Sequence, residues 1–269
     1  MSREPVPGAA DTAALLARLR ETGARLAAIY PGEVGGRQPV HTVYGGAHLF
    51  TADTAPRLGA LALRALEEFA PDAESFARAI LLSPEVDAAA VYERVRAKLR
   101  REPVEDYRLD YEDGYGVRPD AEEDRAAVAG ATEVARGQAA GTLPPFIGIR
   151  VKSLSGDLAG RALRTLDLFL ATLLDRTGGN LPPGFVVTLA KITAPEQVSA
   201  LAERCDHLER QHGLAGGALR LELVIGTPQS VLDADGGCPP LGLGRAGRGR
   251  GRPPPPAHAP PRANAPRAR

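Results

Sequence analysis

The chain has 269 residues and a mass of 28.2 kDa, and 43% of it is hydrophobic, enough for a sizeable core built from Leu, Ala, Val and Ile because Trp is absent. No apolar run approaches the roughly 18 residues of a membrane-spanning helix and no secretory h-region opens the chain, while Cys205 and Cys238 fit no metal or redox spacing, so a cytoplasmic protein with reduced thiols and no membrane partner is expected. The zero net charge hides an asymmetry: residues 236–269 hold seven Arg and no acid, leaving 26 basic against 33 acidic side chains in residues 1–235, a balance that argues against a broad nucleic-acid surface on the body.

The first element is an amphipathic helix from Asp11 to Ile29. Its acids, Asp11 and Glu21, mark an ordinary surface helix rather than a transit peptide. Residues 1–35 form an N-terminal helical extension that runs into the Pro/Gly break PGEVGGRQP. Val40-His41-Thr42-Val43-Tyr44 is extended. Helices follow from Pro56 to Phe69, on the spacing of Leu58, Leu61, Leu63, Leu66 and Phe69, and from Pro84 to Arg100, with Ser83-Pro84 as cap and first turn.

From there short strands alternate with helices. Strand Tyr107–Tyr111 precedes helix Asp120–Arg136, where Asp120 and Glu123 have capping-box spacing. Strand Phe146–Val151 precedes helix Leu158–Leu174, strand Phe185–Leu189 precedes helix Pro195–Gln211, and Leu219–Ile225 is a further strand. The alternation predicts an α/β fold, a parallel sheet with helices outside it.

Residues 236–269 break the pattern. This stretch has nine Pro, seven Gly and no Val, Ile or Phe, and 29 of its 34 residues are Ala, Gly, Pro or Arg. Pro removes ladder donors and Gly weakens strands, so a disordered tail is expected. Those four residue types share GC-rich codons, and the reading adopted is a frameshift or truncation near Asp235.

The chemistry concentrates in Leu109-Asp110-Tyr111-Glu112-Asp113-Gly114. Acids at a strand's carboxyl end, followed by glycine, can hold a hydrated Mg²⁺ or position a base, or else cap the next helix. On a strand Asp110 and Glu112 share a face and Asp113 enters the loop. Arg150, at the end of an apolar strand, suits bidentate capture of a carboxylate, with an ordinary surface Arg as the alternative. Lys191 reads as a snorkelling Lys, a cation at the mouth or a Schiff-base amine. Gly242 to Gly247 match G-x-G-x-x-G without the strand and helix that a dinucleotide site needs. RGRGR lacks interleaved aromatics, which leaves an RG-tail nucleic-acid binder as a minor reading. His207 and His212 lie off one helical face and read as surface residues.

Four segments in order, RLDYEDGYG, IRVKSL, VTLAKITAPEQV and LELVIGTPQSV, resemble the HpcH/HpaI aldolase/citrate lyase family, and QPVHTVYGGAHLF resembles its first barrel strand. The resemblance spans residues 36 to 235. It implies a (β/α)₈ TIM-barrel type fold, incomplete here, with about five of the eight βα units present. It also implies a carbon–carbon lyase acting through a Mg²⁺-stabilised enolate on an oxoacid, hydroxy acid or acyl-CoA ester, in a homo-oligomer. On that resemblance Arg150 matches the substrate-carboxylate Arg, and Asp110, Glu112 and Asp113 match the acidic strand-end cluster. Gly226 stands where the family has its Glu ligand for Mg²⁺, Lys152 replaces an Asn, and the strand carrying the Asp ligand is replaced by the tail. These departures predict weak Mg²⁺ binding and no turnover in this chain, with an inactive scaffold as the alternative.

Overall fold

A computed structural model describes residues 9–29, 36–232, 236–237, 242–243, 246–247 and 249–250. The chain divides into two compact units, residues 1–38 with 253–269 and residues 39–252. In the first unit the described element is helix α1 (Ala9–Ile29).

Among the described residues the second unit holds five strands: β1 (Val43–Gly46), β2 (Asp106–Asp110), β3 (Phe146–Val151), β4 (Val186–Leu189) and β5 (Arg220–Leu223). All pair in parallel, in the order β1-β2-β3-β4-β5. Parallel neighbours need long crossovers. Helices α2 (Thr54–Phe69), α3 (Ala73–Ala79) and α4 (Ala88–Arg101) supply the first, and α5 (Asp120–Ala140), α6 (Leu158–Thr177) and α7 (Pro195–His212) the next three. A single turn, α8 (Pro228–Val231), follows β5. Among the described residues no helix is long and apolar enough to cross a membrane.

Registry decides which residues share a face. Tyr44 pairs with Arg108, Asp110 with Arg150, Arg150 with Thr188, and Thr188 with Glu222. Alternate strand residues point to opposite faces. One face therefore carries Asp106, Arg108, Asp110, Arg150, Thr188 and Glu222. The opposite face carries Leu109, Ile147, Ile149, Val187 and Leu221, all buried in the main core. Against that apolar face α5 sets Ala127, Ala131 and Val134, α6 sets Ala162, Leu166, Phe169, Leu170 and Leu173, and α7 sets Val198, Leu201, Ala202 and Cys205. Spacings of three, four and seven put each set on one helical stripe. Each fully buried Leu or Phe contributes roughly 1.5–3 kcal/mol relative to exposure. Gly130 lets α5 approach closely: a Cβ there would lie 2.5 Å from the Tyr111 hydroxyl and 3.0 Å from Leu109 Cδ2.

Several boundaries differ from the sequence expectation for identifiable reasons. The helix expected from Pro84 begins at Ala88, because the Asp87 carboxylate accepts the Ala90 N–H at 3.0 Å and caps it there. Helix α3 was not expected; Asp72 and Ser75 form its capping box. The capping box expected at Asp120 and Glu123 does not form. Pro119 precedes α5, and Glu123 is buried, accepting from Thr165 Oγ1 at 2.6 Å and pairing with Lys152 at 2.7 Å. Helices α5, α6 and α7 outlast their predicted ends and stop where Gly141, Gly178 and Gly213 adopt φ of 66°, 62° and 68°. The final stretch lies mostly outside the described residues, but Leu243 and Arg250, where disorder was expected, are buried.

Candidate functional site

The polar face of the sheet is built around Arg108, which is fully buried. Its guanidinium pairs with Asp106 on its own strand, reaches Glu222 on β5 through two bonds of 3.0 Å, and donates to Thr188 Oγ1 at 2.9 Å. Burial works against the charge, but Glu222 and Asp106 outweigh it and raise the Arg108 pKa. Tyr44 on β1 donates to Glu222 at 3.3 Å, and burial together with Glu222 pushes its hydroxyl up to about 12. Arg150 lies over the Tyr44 ring at 4.8 Å.

Above this layer, at the carboxyl ends of β2, β3 and β4, the structure brings together all four predicted site residues. Asp110 accepts two bonds from Arg150, Nε at 2.8 Å and Nη2 at 2.5 Å, and two more from the backbone N–H groups of Glu112 and Gly114 at 2.9 and 2.7 Å. Burial pushes the Asp110 carboxyl up, but these four donors hold it below the usual aspartate range. Asp110 thus fixes both the Arg150 fork and the start of the acidic loop. Arg150 Nη1 lies 3.4 Å from Glu112 and Nη2 lies 3.5 Å from Asp113. The bond to Asp110 raises the Arg150 pKa further. The surface-Arg reading therefore fails: the side chain is largely buried among three carboxylates.

Lys191, just past β4, bridges Glu112 at 2.8 Å and Asp113 at 2.6 Å. These bonds, Asp113 first and then Glu112, raise its pKa, whereas a Schiff-base nucleophile needs a neutral amine. Its φ of 54° is left-handed for a residue with a side chain, a strain kept where surrounding packing enforces it; Ala190 and Ile192 on either side are buried. Lys152 is buried and donates to the carbonyls of Tyr111 and Gly116 at 2.6 and 3.1 Å, so it ties both ends of the acidic loop together.

A cavity of about 510 Å³ opens here, lined by Glu112, Asp113, Lys191 and Thr227 among others. A second, of about 530 Å³, lies where the chain enters β2 and β3, lined by Pro103, Val104 and Thr142; parallel sheets place chemistry at the opposite, carboxyl end. Gly226 follows β5 beside Thr227, and a Cβ there would meet nothing within 4 Å.

Sequence reasoning missed Arg108, Tyr44 and Glu222 as parts of the site. The signal was present in the Asp106-Tyr107-Arg108-Leu109-Asp110 alternation, which sets three charges on one face of a strand whose other face is apolar. Glu222, the partner of Arg108 on β5, lies 114 residues away.

Fold and site together define an α/β protein with a charged cluster and a cavity at the carboxyl edge of a parallel sheet. The chain belongs to the family described as Domain of unknown function (DUF6986), whose model matches residues 19–253, running past Asp235 into the Gly/Pro/Arg-rich stretch. No curated protein matches the chain.

Proposed function

We propose that this chain is a carboxylate-binding member of the aldolase/citrate-lyase type, built on a barrel-type sheet, that receives an oxoacid, a hydroxy acid or an acyl-CoA ester without cleaving it. The observation that carries the reading is Arg150. Its fork is fixed from behind by the Asp110 carboxylate, and its Nη1 and Nη2 edge faces Glu112 and Asp113, two residues that line the cavity. A planar guanidinium held this way has its rotamer settled before a ligand arrives, which lowers the entropic cost of pairing with a carboxylate. The sequential parallel order and the pairing of β1 and β2 side chains with Glu222 on β5 support the barrel-type curvature.

The residues present do not fit Mg²⁺. Gly226 offers no donor, both Asp110 oxygens are committed to Arg150 and backbone N–H groups, and Glu112 and Asp113 share the Lys191 ammonium. A hard dication needs oxygen ligands with free lone pairs and little competing positive charge. No reaction step is therefore assigned to it, and the proposal is one of binding.

The test is calorimetry with pyruvate and oxalate on the full chain and on Arg150→Lys, alongside cleavage assays on hydroxy-acid and acyl-CoA substrates. Binding that falls at least about tenfold in Arg150→Lys, with no turnover, is expected from loss of the bidentate pair. Equal binding by the variant, or turnover by the chain, would overturn the reading.

A further inference from the structure

Within the acidic cluster Asp113 stands apart. Its side chain is 60% exposed, whereas Asp110 and Glu112 are 2% and 7% exposed. Its two oxygens face two different cations: Oδ1 lies 2.6 Å from Lys191 Nζ, and Oδ2 lies 3.5 Å from Arg150 Nη2. It therefore fills the gap between the two basic groups, at the edge of the cavity it helps to line.

We propose that Asp113 is a placeholder for a ligand carboxylate, occupying the gap between Lys191 and Arg150 until the carboxylate of a small oxoacid or hydroxy acid displaces it. The proposal rests on Arg150 as a carboxylate receptor and adds the second cation and the group that must leave. Three features support an exchange of this kind. Asp113 is in the loop after β2 and exposed, so it can turn into water and regain full hydration. The Asp113–Lys191 pair is exposed on both sides, a setting in which ion pairs are weak, and the Arg150 contact is a long 3.5 Å, so the two resist displacement little. Replacing one carboxylate by another leaves the local charge balance unchanged, with Asp110, Glu112 and the ligand against Arg150 and Lys191, so no buried charge is left uncompensated.

The two cations, by contrast, are held in place. Asp110 grips Arg150. Lys191 projects from a left-handed backbone position between two buried residues, and the buried Glu112 carboxylate retains it at 2.8 Å when Asp113 leaves. The geometry thus keeps two donors aimed at one vacated carboxylate position.

The experiment is calorimetric titration of oxalate and pyruvate into the full chain and into Asp113→Asn, Lys191→Met and Arg150→Lys. Asp113 is exposed, so Asp113→Asn leaves folding intact; Lys191→Met removes a partner of the buried Glu112 carboxylate, which keeps Arg150 at 3.4 Å, and circular dichroism checks that both variants fold. Asp113→Asn should tighten oxalate binding by about tenfold or more, and Lys191→Met should weaken it by a similar factor. The gain should persist at about 0.5 M NaCl, where repulsion acting through solvent is screened. Loss in Arg150→Lys without a gain in Asp113→Asn, or a gain that disappears in salt, would overturn the placeholder while leaving the Arg150 reading in place. Unchanged binding by Arg150→Lys, or no binding by any form, would overturn both.

Discussion

Arg108 on β2 and Glu222 on β5 are joined by two hydrogen bonds of 3.0 Å although β3 and β4 lie between their strands. In a flat sheet those strands would be about 14 Å apart. Side chains standing perpendicular to it would keep their charged ends at that separation. The sheet is therefore curled around its charged face, and this pair is one of the contacts across the curl. Tyr44 reaching Glu222 from β1 is another.

Removing the Arg108 side chain should be severely destabilising. Arg108→Met takes the cation from between Asp106 and Glu222 in a buried setting, where breaking one partner of an ion pair costs about 3–5 kcal/mol. Chemical denaturation should show a lower midpoint, and the triple variant with Asp106→Asn and Glu222→Gln should recover part of the loss. A midpoint for Arg108→Met equal to that of the parent would show that the cross-sheet pairing contributes nothing to stability.

Much of this architecture could be read from the sequence, and the failures have physical causes. The strands carry apolar side chains on every second position, and that period survives any tertiary context. The acids at 110, 112 and 113 and Arg150 could be placed at a strand's carboxyl end, because strand and loop were separable by glycine. Pairing partners remained out of reach, since nothing local says that Glu222 closes onto Arg108. The same holds for Lys191, whose roles stayed undecided until Asp113 and Glu112 were seen on either side of its ammonium. The helix expected from Ser83-Pro84 starts instead at Ala88, where the Asp87 carboxylate accepts the Ala90 N–H, a cap that the Ser-Pro signal hid.

Gly226→Glu should be accommodated without loss. Open space surrounds the position and no left-handed φ is required there, so stability should stay within about 0.5 kcal/mol. The added carboxylate supplies the oxygen donor that the site lacks. Calorimetric titration should show little Mg²⁺ uptake by the unaltered chain and measurable uptake by the variant, most of all when Lys191→Met also frees the acid pair. Micromolar Mg²⁺ binding by the unaltered chain would show that its acids are free enough to coordinate a metal.

Stability should fall on acidification below the usual carboxylate range. Burial pushes both Asp110 and Glu209 up, but Arg150 with two backbone donors, and Arg250 with two more, hold them lower than normal. A carboxyl whose folded pKa is depressed adds stability above its unfolded pKa and loses it as pH falls through the folded value. Unfolding free energy should therefore be level between about pH 7 and pH 5 and decline below about pH 4. Asp110→Asn should flatten that acid limb. An identical limb in the variant would assign the acid sensitivity to other groups.

Arg250 is one of the seven Arg of the Gly/Pro/Arg-rich stretch. Its guanidinium is buried, bonded to Glu209 by two contacts of 2.6 Å and to the Leu219 carbonyl at 3.0 Å, and paired with Asp206. Its own carbonyl accepts the Leu221 N–H at 2.9 Å, so it supplies a backbone acceptor beside β5. An Arg held in this way is not available to nucleic acid. Hydrogen bonds to Glu209 outweigh burial and raise its pKa, so it stays charged. Arg250→Met keeps most of the volume but leaves the Glu209 carboxylate buried, with the N–H groups of Gly217 and Leu219 as its remaining hydrogen-bond donors. The expected cost is about 2–4 kcal/mol, with Arg250→Lys intermediate because a point charge cannot reproduce the fork. Hydrogen exchange offers an independent check: the Leu221 amide should lose protection in Arg250→Met. A variant as stable as the parent, with Leu221 equally protected, would show that this segment is not fastened to β5 in solution.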